Sequence, residues 1–311
     1  MSIGNVANRN NAISNSRTEA TSASNKAKTN SNVSKPTNGN SNSTSDRTSL
    51  SNESQEKNQS GVSNSFLSSF SDNWNVVEQN QDKMGGTKMD APTTEGNDRV
   101  TQTGATSRAE TDMNVDGKGG DDDIKQEAGN QGITAKANGG EGADRIVQNG
   151  GNDNGNTLLA EGGGGNDVIN QRGSADGNDD NGQDDITADG GEGKNTIKMS
   201  SGGGDDVLSV RGEKGQDTVD VDAGSGDDKV FVRTGGGDKM NINGGEGTDT
   251  LILNKDRSKD VTILDQNGTV VFKNGTGKNV LNIKDVEKVR VIDAQGKEQI
   301  LNGTASEECS T

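Results

Sequence analysis

The sequence predicts an all-β protein: a parallel β-roll, or β-helix solenoid, of short turns and short strands, behind a disordered N-terminal region and ahead of a small C-terminal β cap. Three observations predict it. Only 24% of the 311 residues are hydrophobic and 2% aromatic, too few for a conventional packed core. Forty-six glycines accompany a net charge of −17, which leaves either a disordered chain or a turn-rich repeat fold whose acids are offset by a cation. From residue 96 glycine and aspartate recur together in a fixed order, and that selects the repeat fold.

Residues 1–60 are rich in Ser, Asn and Thr, with seven Lys/Arg against four acids, a net +3 that leaves −20 for residues 61–311. With so little to bury, this tract cannot offset the roughly 1–2 kcal/mol per residue that backbone ordering costs, and disorder is expected. Two readings stay open for it: a Ser-rich, acid-poor secretion signal of the type III kind, and a plain flexible leader. The opening MSIGNVANRNNAISNSR has no apolar stretch of the sort a Sec signal needs, and no apolar run approaches membrane-spanning length. Export by another route is expected, and no integral membrane segment. Cys309 is the only cysteine and cannot form an intramolecular disulfide.

Within residues 61–95, Val62, Phe66, Phe70, Trp74 and Val77 recur at spacings of four, four, four and three, which predicts a short amphipathic helix followed by a linker. Such a helix would either touch a partner or membrane, or dock as a cap on the open end of the repeat array. The cap is preferred, because a solenoid needs one at each end.

The repeats occupy residues 96–253. They are clearest as GGEGADRI (139–146), GGGGNDVI (162–169), SGGGDDVL (201–208), GEKGQDTV (212–219), AGSGDDKV (223–230) and GGEGTDTL (244–251), with looser copies at 96–100, 117–124, 151–159, 179–186, 190–197 and 235–240. Glycines permit positive φ, so the GGxG half is a tight turn whose carbonyls are expected to point inward, free of a ladder. The Asp adds a carboxylate, and six to eight such hard oxygens are what calcium takes. The following x-U-x-U, where U is large and apolar, forms a brief strand that turns its U residues inward. This GGxGxDxU pattern resembles the calcium-binding repeats of the RTX (repeats-in-toxin) family over about half the chain. Candidate metal ligands are Asp144, Asp167, Asp184, Asp206, Asp217, Asp228 and Asp249, with turn glycines Gly142, Gly165, Gly204, Gly226 and Gly247.

The period departs from the family's usual nine. Ile186, Ile197, Leu208, Val219, Val230, Met240 and Leu251 are spaced 11, 11, 11, 11, 10 and 11, and a second apolar residue follows two places on at Met199, Val210, Val221, Val232, Ile242 and Leu253, more weakly at Ala188. Two added residues lengthen each strand without swapping its faces. The coil is therefore expected to be two units, about 22 residues, stacking Asp184, Asp206, Asp228 and Asp249 in one column and Asn195, Asp217 and Asp238 in another. Carboxylates stacked about 4.8 Å apart repel by roughly 1 kcal/mol in water and about 3.5 at an effective dielectric of 20, so a fold with so thin a core is expected to stay open until cations bind. Before Ile186 the spacings from Ile146 to Leu159 (13), to Ile169 (10) and to Ile186 (17) are irregular, and Thr157 stands where an Asp belongs.

Residues 254–303 are expected to form the cap. Val-Thr-Ile-Leu (261–264) and Thr-Val-Val-Phe (269–272) flank Asn267-Gly268, a strong hairpin signal, and apolar runs follow at 279–283, 286–292 and 299–301. Residues 304–311 are a tail, and 290–311 is where the family usually carries a type I export signal.

The resemblance implies a secreted, calcium-binding, non-catalytic module that folds outside the cell and serves host association or virulence, with a host or cell-surface partner and a secretion chaperone. A type III-secreted, harpin-like effector or helper is the alternative, on composition alone. An enzyme acting on polysaccharide is the third reading and is disfavoured: the chain has no His and no Tyr, which excludes His-based triads and metalloprotease motifs, and nothing places a carboxylate pair in a cleft. The −20 of residues 61–311 argues against nucleic acid.

Overall fold

The computed structural model describes residues 62–68, 74–81, 87–104, 111–152, 155–173, 182–254, 263–264, 269–274, 277–292 and 296–302. These are all β or turn, within one compact unit, Arg47–Thr311. Expectations for residues 1–60 and 304–311 lie outside the described residues. Successive strands alternate between two sheets, so the backbone winds as a two-layer parallel β-solenoid. The first sheet stacks Asn75–Gln81, Asp98–Thr103, Asp123–Glu127, Arg145–Asn149, Val168–Arg172, Thr196–Ser200, Thr218–Asp222, Lys239–Asn243 and Gly277–Lys284. The second stacks Thr87–Asp90, Thr111–Asp116, Ile133–Glu141, Thr157–Gly164, Asp185–Asp189, Val207–Arg211, Lys229–Arg233, Thr250–Asn254 and Lys288–Ile292.

The two-unit coil holds. Ile186 lies opposite Leu208, Leu208 opposite Val230 and Val230 opposite Leu251 in one sheet, while Ile197, Val219 and Met240 align in the other. Both apolar residues of each unit point inward: Ile186, Ile197, Leu208 and Val219 are fully buried, and Met199, Val210, Val221 and Ile242 nearly so. The same winding continues towards the N-terminus, where Ile146, Ile169 and Ile197 stack directly. One register is corrected. Leu158, not Leu159, is the inward residue, since it pairs with Ile186 and is buried. The motif position is then Asn156 rather than Thr157, and the spacings become 12 and 11. A one-residue slip turns every side chain to the other face, and two adjacent leucines gave the pattern no way to choose.

The helix expected over 62–77 is a correction as well. Val62–Ser68 is a strand antiparallel to Asn75–Gln81, with Phe66 opposite Val77, and Asn75–Gln81 is already a rung, parallel to Asp98–Thr103. A spacing of four is an even number, so it satisfies a strand's alternation as well as a helix face. This antiparallel strand, in place of a helix, covers the N-terminal edge of the first sheet. At the other end one more parallel rung follows residue 253, formed by Gly277–Lys284 and Lys288–Ile292. Antiparallel strands then close both sheets: Thr269–Asn274 on Gly277–Lys284, with Ile263–Leu264 beyond it, and Glu298–Asn302 on Lys288–Ile292.

The interior changes character along the stack. In five successive rungs of the first sheet the second inward residue is a glutamine: Gln79, Gln102, Gln126, Gln148 and Gln171, all at most 3% exposed. Each Nε2 from Gln102 onward donates to the Oε1 of the glutamine one rung before, at 2.7–2.8 Å. The same nitrogens reach across the core to carbonyls of the second sheet, those of Met89, Lys136, Leu159 and Thr187. The facing inward residues are small opposite the last three glutamines, Ala137, Ala160 and Ala188, with Val115 one rung earlier. Where the ladder gives way to Met199, Val221 and Ile242, the second sheet enlarges to Val210, Val232 and Leu253. A buried amide is costly unless most of its bonds are made. Replacing Gln126 by Leu strips the donor from Gln102 Oε1 and the Lys136 carbonyl and one acceptor from Gln148, at roughly 1–3 kcal/mol for each group left alone. We expect the urea midpoint to fall further for Gln126→Leu than for Gln171→Met: both take the donor from a glutamine oxygen and a carbonyl, but Gln171 ends the ladder against Met199 and its Oε1 has no partner to lose.

Candidate functional site

The turns that join the sheets stack into two columns, and the glycines explain how closely they stack. Gly165 has φ +131°, and a Cβ there would lie 1.6 Å from the Gly142 carbonyl oxygen of the rung before. Gly142 stands in the same relation to Gly120. Positive φ recurs at Gly204, Gly226 and Gly247, so all five predicted turn glycines occupy the equivalent place. Contrary to expectation, part of each turn forms its own ladder. The third-position carbonyls of Gly164, Ser225 and Glu246 accept from the amides of Gly142, Gly204 and Gly226 at 2.7–2.8 Å, and the second-position carbonyls of Gly202 and Gly224 accept from Ser225 and Glu246.

The motif aspartates are buried, at most 2% exposed, and each reaches back one rung. Oδ1 of Asp144 accepts from the Asp122 amide, that of Asp167 from Asp144, that of Asp206 from Asp184 and that of Asp228 from Asp206, at 2.7–2.9 Å. One column runs Asp98, Asp122, Asp144, Asp167, Asn195, Asp217, Asp238 and Asn279. The other runs Asn156, Asp184, Asp206, Asp228, Asp249 and Glu287. All seven predicted aspartates sit in these columns. Asp98, Asp122 and Asp238 extend the set, as does the neutral Asn156.

The second oxygen carries the chemistry. Oδ2 of Asp122, Asp144, Asp167, Asp206, Asp217, Asp228 and Asp249 is buried with no hydrogen-bond partner; the Ser201 hydroxyl, near Asp206, is turned to the Ala223 carbonyl. These oxygens do not face empty apolar space. A methyl group on Gly139 would meet both Asp144 Oδ2 (2.4 Å) and the Gly162 carbonyl oxygen (2.7 Å), and one on Gly162 would meet Asp167 Oδ2 (2.5 Å) and the Gly190 carbonyl oxygen (2.7 Å). Carboxylate and carbonyl are thus brought together with no donor between them. Burial, opposed in part by backbone bonds to the carboxylate, pushes Asp122, Asp206, Asp217 and Asp228 up to about 7 and Asp144 to about 6, with neighbouring carboxylates adding to it, and raises Asp249, again with neighbouring acids, and Asp167 and Asp238 by burial alone.

A second set of side chains staples the turns from outside. Asp205 Oδ1 accepts from the Asp227 amide and Asp227 Oδ1 from Thr248, while Asn97, Asp121 and Asn166 do the same in the other column. The signal was an Asn or Asp immediately before the motif Asp, as in GGGDD, SGDD and GGND. Here the structure also gathers what the sequence could not place: Asp184, Asp185, Asp205, Asp206, Asp227 and Asp228 line one cleft of about 620 Å³.

Among the described residues no three acidic side chains converge closely enough to hold a metal by themselves, so a cation in these columns would draw most of its ligands from main-chain carbonyls. The donor set is all oxygen, which fits a hard cation. No described helix is long and apolar enough to cross a membrane. Fold and turns together define a parallel β-solenoid of tandem glycine–aspartate repeats with two buried aspartate columns. No family model, curated protein or solved structure matches the chain.

Proposed function

We propose that the chain is a calcium-stabilised, non-catalytic β-solenoid module that is secreted, folds on binding the cation outside the cell and acts there through its surface on a host or cell-surface partner. One observation carries the reading: the buried, unpartnered Oδ2 atoms of Asp122, Asp144, Asp167, Asp206, Asp217, Asp228 and Asp249, of which those of Asp122, Asp144, Asp167 and Asp249 share a glycine's flank with a main-chain carbonyl. Buried polar groups without partners are rare, and a row of them asks for a positive charge between the oxygens. Asp144, Asp167, Asp184, Asp206, Asp217, Asp228 and Asp249 would hold it, with carbonyls of the adjoining turns. A bound divalent cation offsets the repulsion along each column and links folding to its own concentration, which for extracellular modules means affinities on the order of 10⁻⁴–10⁻³ M. Resemblance to the RTX repeats supports the same cation.

The test is a calcium titration of the full chain followed by far-ultraviolet circular dichroism. We expect β content to rise cooperatively in the millimolar range with calcium and not with magnesium, whose small octahedral shell the stacked turns do not supply. Equal β content in chelator and in millimolar calcium would overturn the proposal.

A further inference from the structure

Away from the turns, the outer face of the first sheet carries an open groove of about 910 Å³ running along the stack from Val168–Arg172 to Gly277–Lys284. Two straight rows of outward side chains form its walls. Lys198, Asp220 and Asn241 stand above one another in one row, and Ser200, Asp222 and Asn243 in the other. Bonds along the rows hold these side chains upright: Asn241 Nδ2 donates to Asp220 Oδ1 at 2.6 Å, Asn243 Nδ2 to Asp222 Oδ1 at 2.9 Å and Asn282 Nδ2 to Asn241 Oδ1 at 2.8 Å. Each carboxylate keeps a second oxygen for a ligand.

We propose that this groove binds a neutral, linear polysaccharide with its chain axis parallel to the solenoid. Three features fix that class. The walls repeat once per rung, about 4.8 Å, so a polymer whose units advance by a comparable step meets the same groups at every unit, whereas a peptide strand advances about 3.3 Å per residue and falls out of step. The walls mix acceptors (Asp) with donors (Lys, Ser, Asn), the combination that serves hydroxyl groups, which both donate and accept. The groove is also nearly balanced in charge, with Arg172, Lys198 and Lys284 against Asp220 and Asp222, on a chain of net −17 that repels polyanions. Stacked repeats characteristically present extended surfaces of this shape. The inference stands apart from the cation reading and needs only that the solenoid be formed.

Affinity electrophoresis of the full chain, in calcium, through gels containing soluble mixed-linkage β-glucan, xylan or polygalacturonate tests it. Retardation by at least one of the two neutral polymers and none by polygalacturonate is expected. The double variant Asp220→Ala/Asn241→Ala should bind about tenfold more weakly, while Thr187→Ala on the opposite sheet binds as the parent, all with unchanged circular dichroism. If the double variant loses its β signal, Lys198→Ala at an exposed position is read in its place, with severalfold weakening expected. Absence of retardation by both neutral polymers, retardation by polygalacturonate alone, or groove variants that bind as tightly as the parent would overturn the proposal.

Discussion

Replacing Gly165 by alanine is expected to open the solenoid at that rung and to cost more than about 4 kcal/mol, at the upper end of what single substitutions do. Two penalties combine. The backbone holds φ +131°, which an L side chain rarely adopts. The added Cβ would also sit 1.6 Å from the Gly142 carbonyl oxygen and 2.6 Å from its carbon. Both are main-chain atoms of the preceding rung, and neither can yield without breaking the bond between the Gly142 amide and the Gly164 carbonyl. Gly119 makes the control. It lies in an equivalent turn, but no positive φ is required there and a Cβ would come no closer than 3.6 Å, so Gly119→Ala should stay within about 0.5 kcal/mol of the parent. Urea denaturation of both variants at one fixed calcium concentration decides the matter. A tolerated Gly165→Ala would mean that the turns do not stack at this spacing, and the aspartate columns built on them would fall with it.

The repeat carried its own geometry because two periods agreed. An interval of eleven places every second unit on the same face of the same sheet, and a strand of x-U-x-U forces both U residues inward, so Ile186, Leu208, Val230 and Leu251 could be stacked from spacing alone. Agreement failed where chemistry and periodicity parted. At Leu158 and Leu159 the apolar residue alone could not set the register; the polar Asn156, whose Oδ1 accepts from the Ile133 amide one rung before as the aspartates' Oδ1 atoms do elsewhere, sets it. The glutamine ladder was missed because Gln reads as a surface residue one at a time. Only its recurrence two places after Val77, Val100, Ile124, Ile146 and Ile169 marks it as interior. The strand at Val62–Ser68 was read as a helix because spacings of four suit both periods. For the site, residue identity was legible and the division of labour within each carboxylate was not. That Oδ1 is spent on the backbone while Oδ2 is left alone depends on which rung lies beneath.

Without divalent cations, the solenoid is expected to be most stable in acid and to lose stability steadily between about pH 4 and pH 7. The folded-state values of Asp122, Asp206, Asp217 and Asp228, about 7, and of Asp144, about 6, lie above the ordinary 3.8, so the folded chain binds protons that the unfolded chain has released. A raised carboxyl contributes its full stability below the unfolded value and loses it as pH rises through the folded one. Burial is the first cause, and the charges that face these groups reinforce it: Asp184 and Asp205 at Asp206, Asp249 and Asp206 at Asp228, Asp238 and Asp167 at Asp217. A proton on Oδ2 gives that oxygen a donor, which the neighbouring turn carbonyl can accept, and it removes one of the stacked charges. Two surface pairs act in the opposite sense, Lys214 holding Glu192 low and Arg290 holding Glu298 low. They lie at the surface, and surface pairs contribute little. The slope in chelator should therefore be negative, on the order of 1 kcal/mol per pH unit for each group titrating. Saturating calcium should reverse it, since a cation takes the ionised carboxylate and acid competes for the same oxygens. Far-ultraviolet circular dichroism from pH 4 to pH 8 in chelator, where β content should fall as pH rises, and urea midpoints over the same range in millimolar calcium give both slopes. Stability that rises with pH in chelator would show the columns ionised and satisfied without a cation, which contradicts the unpartnered Oδ2 atoms on which the cation reading rests.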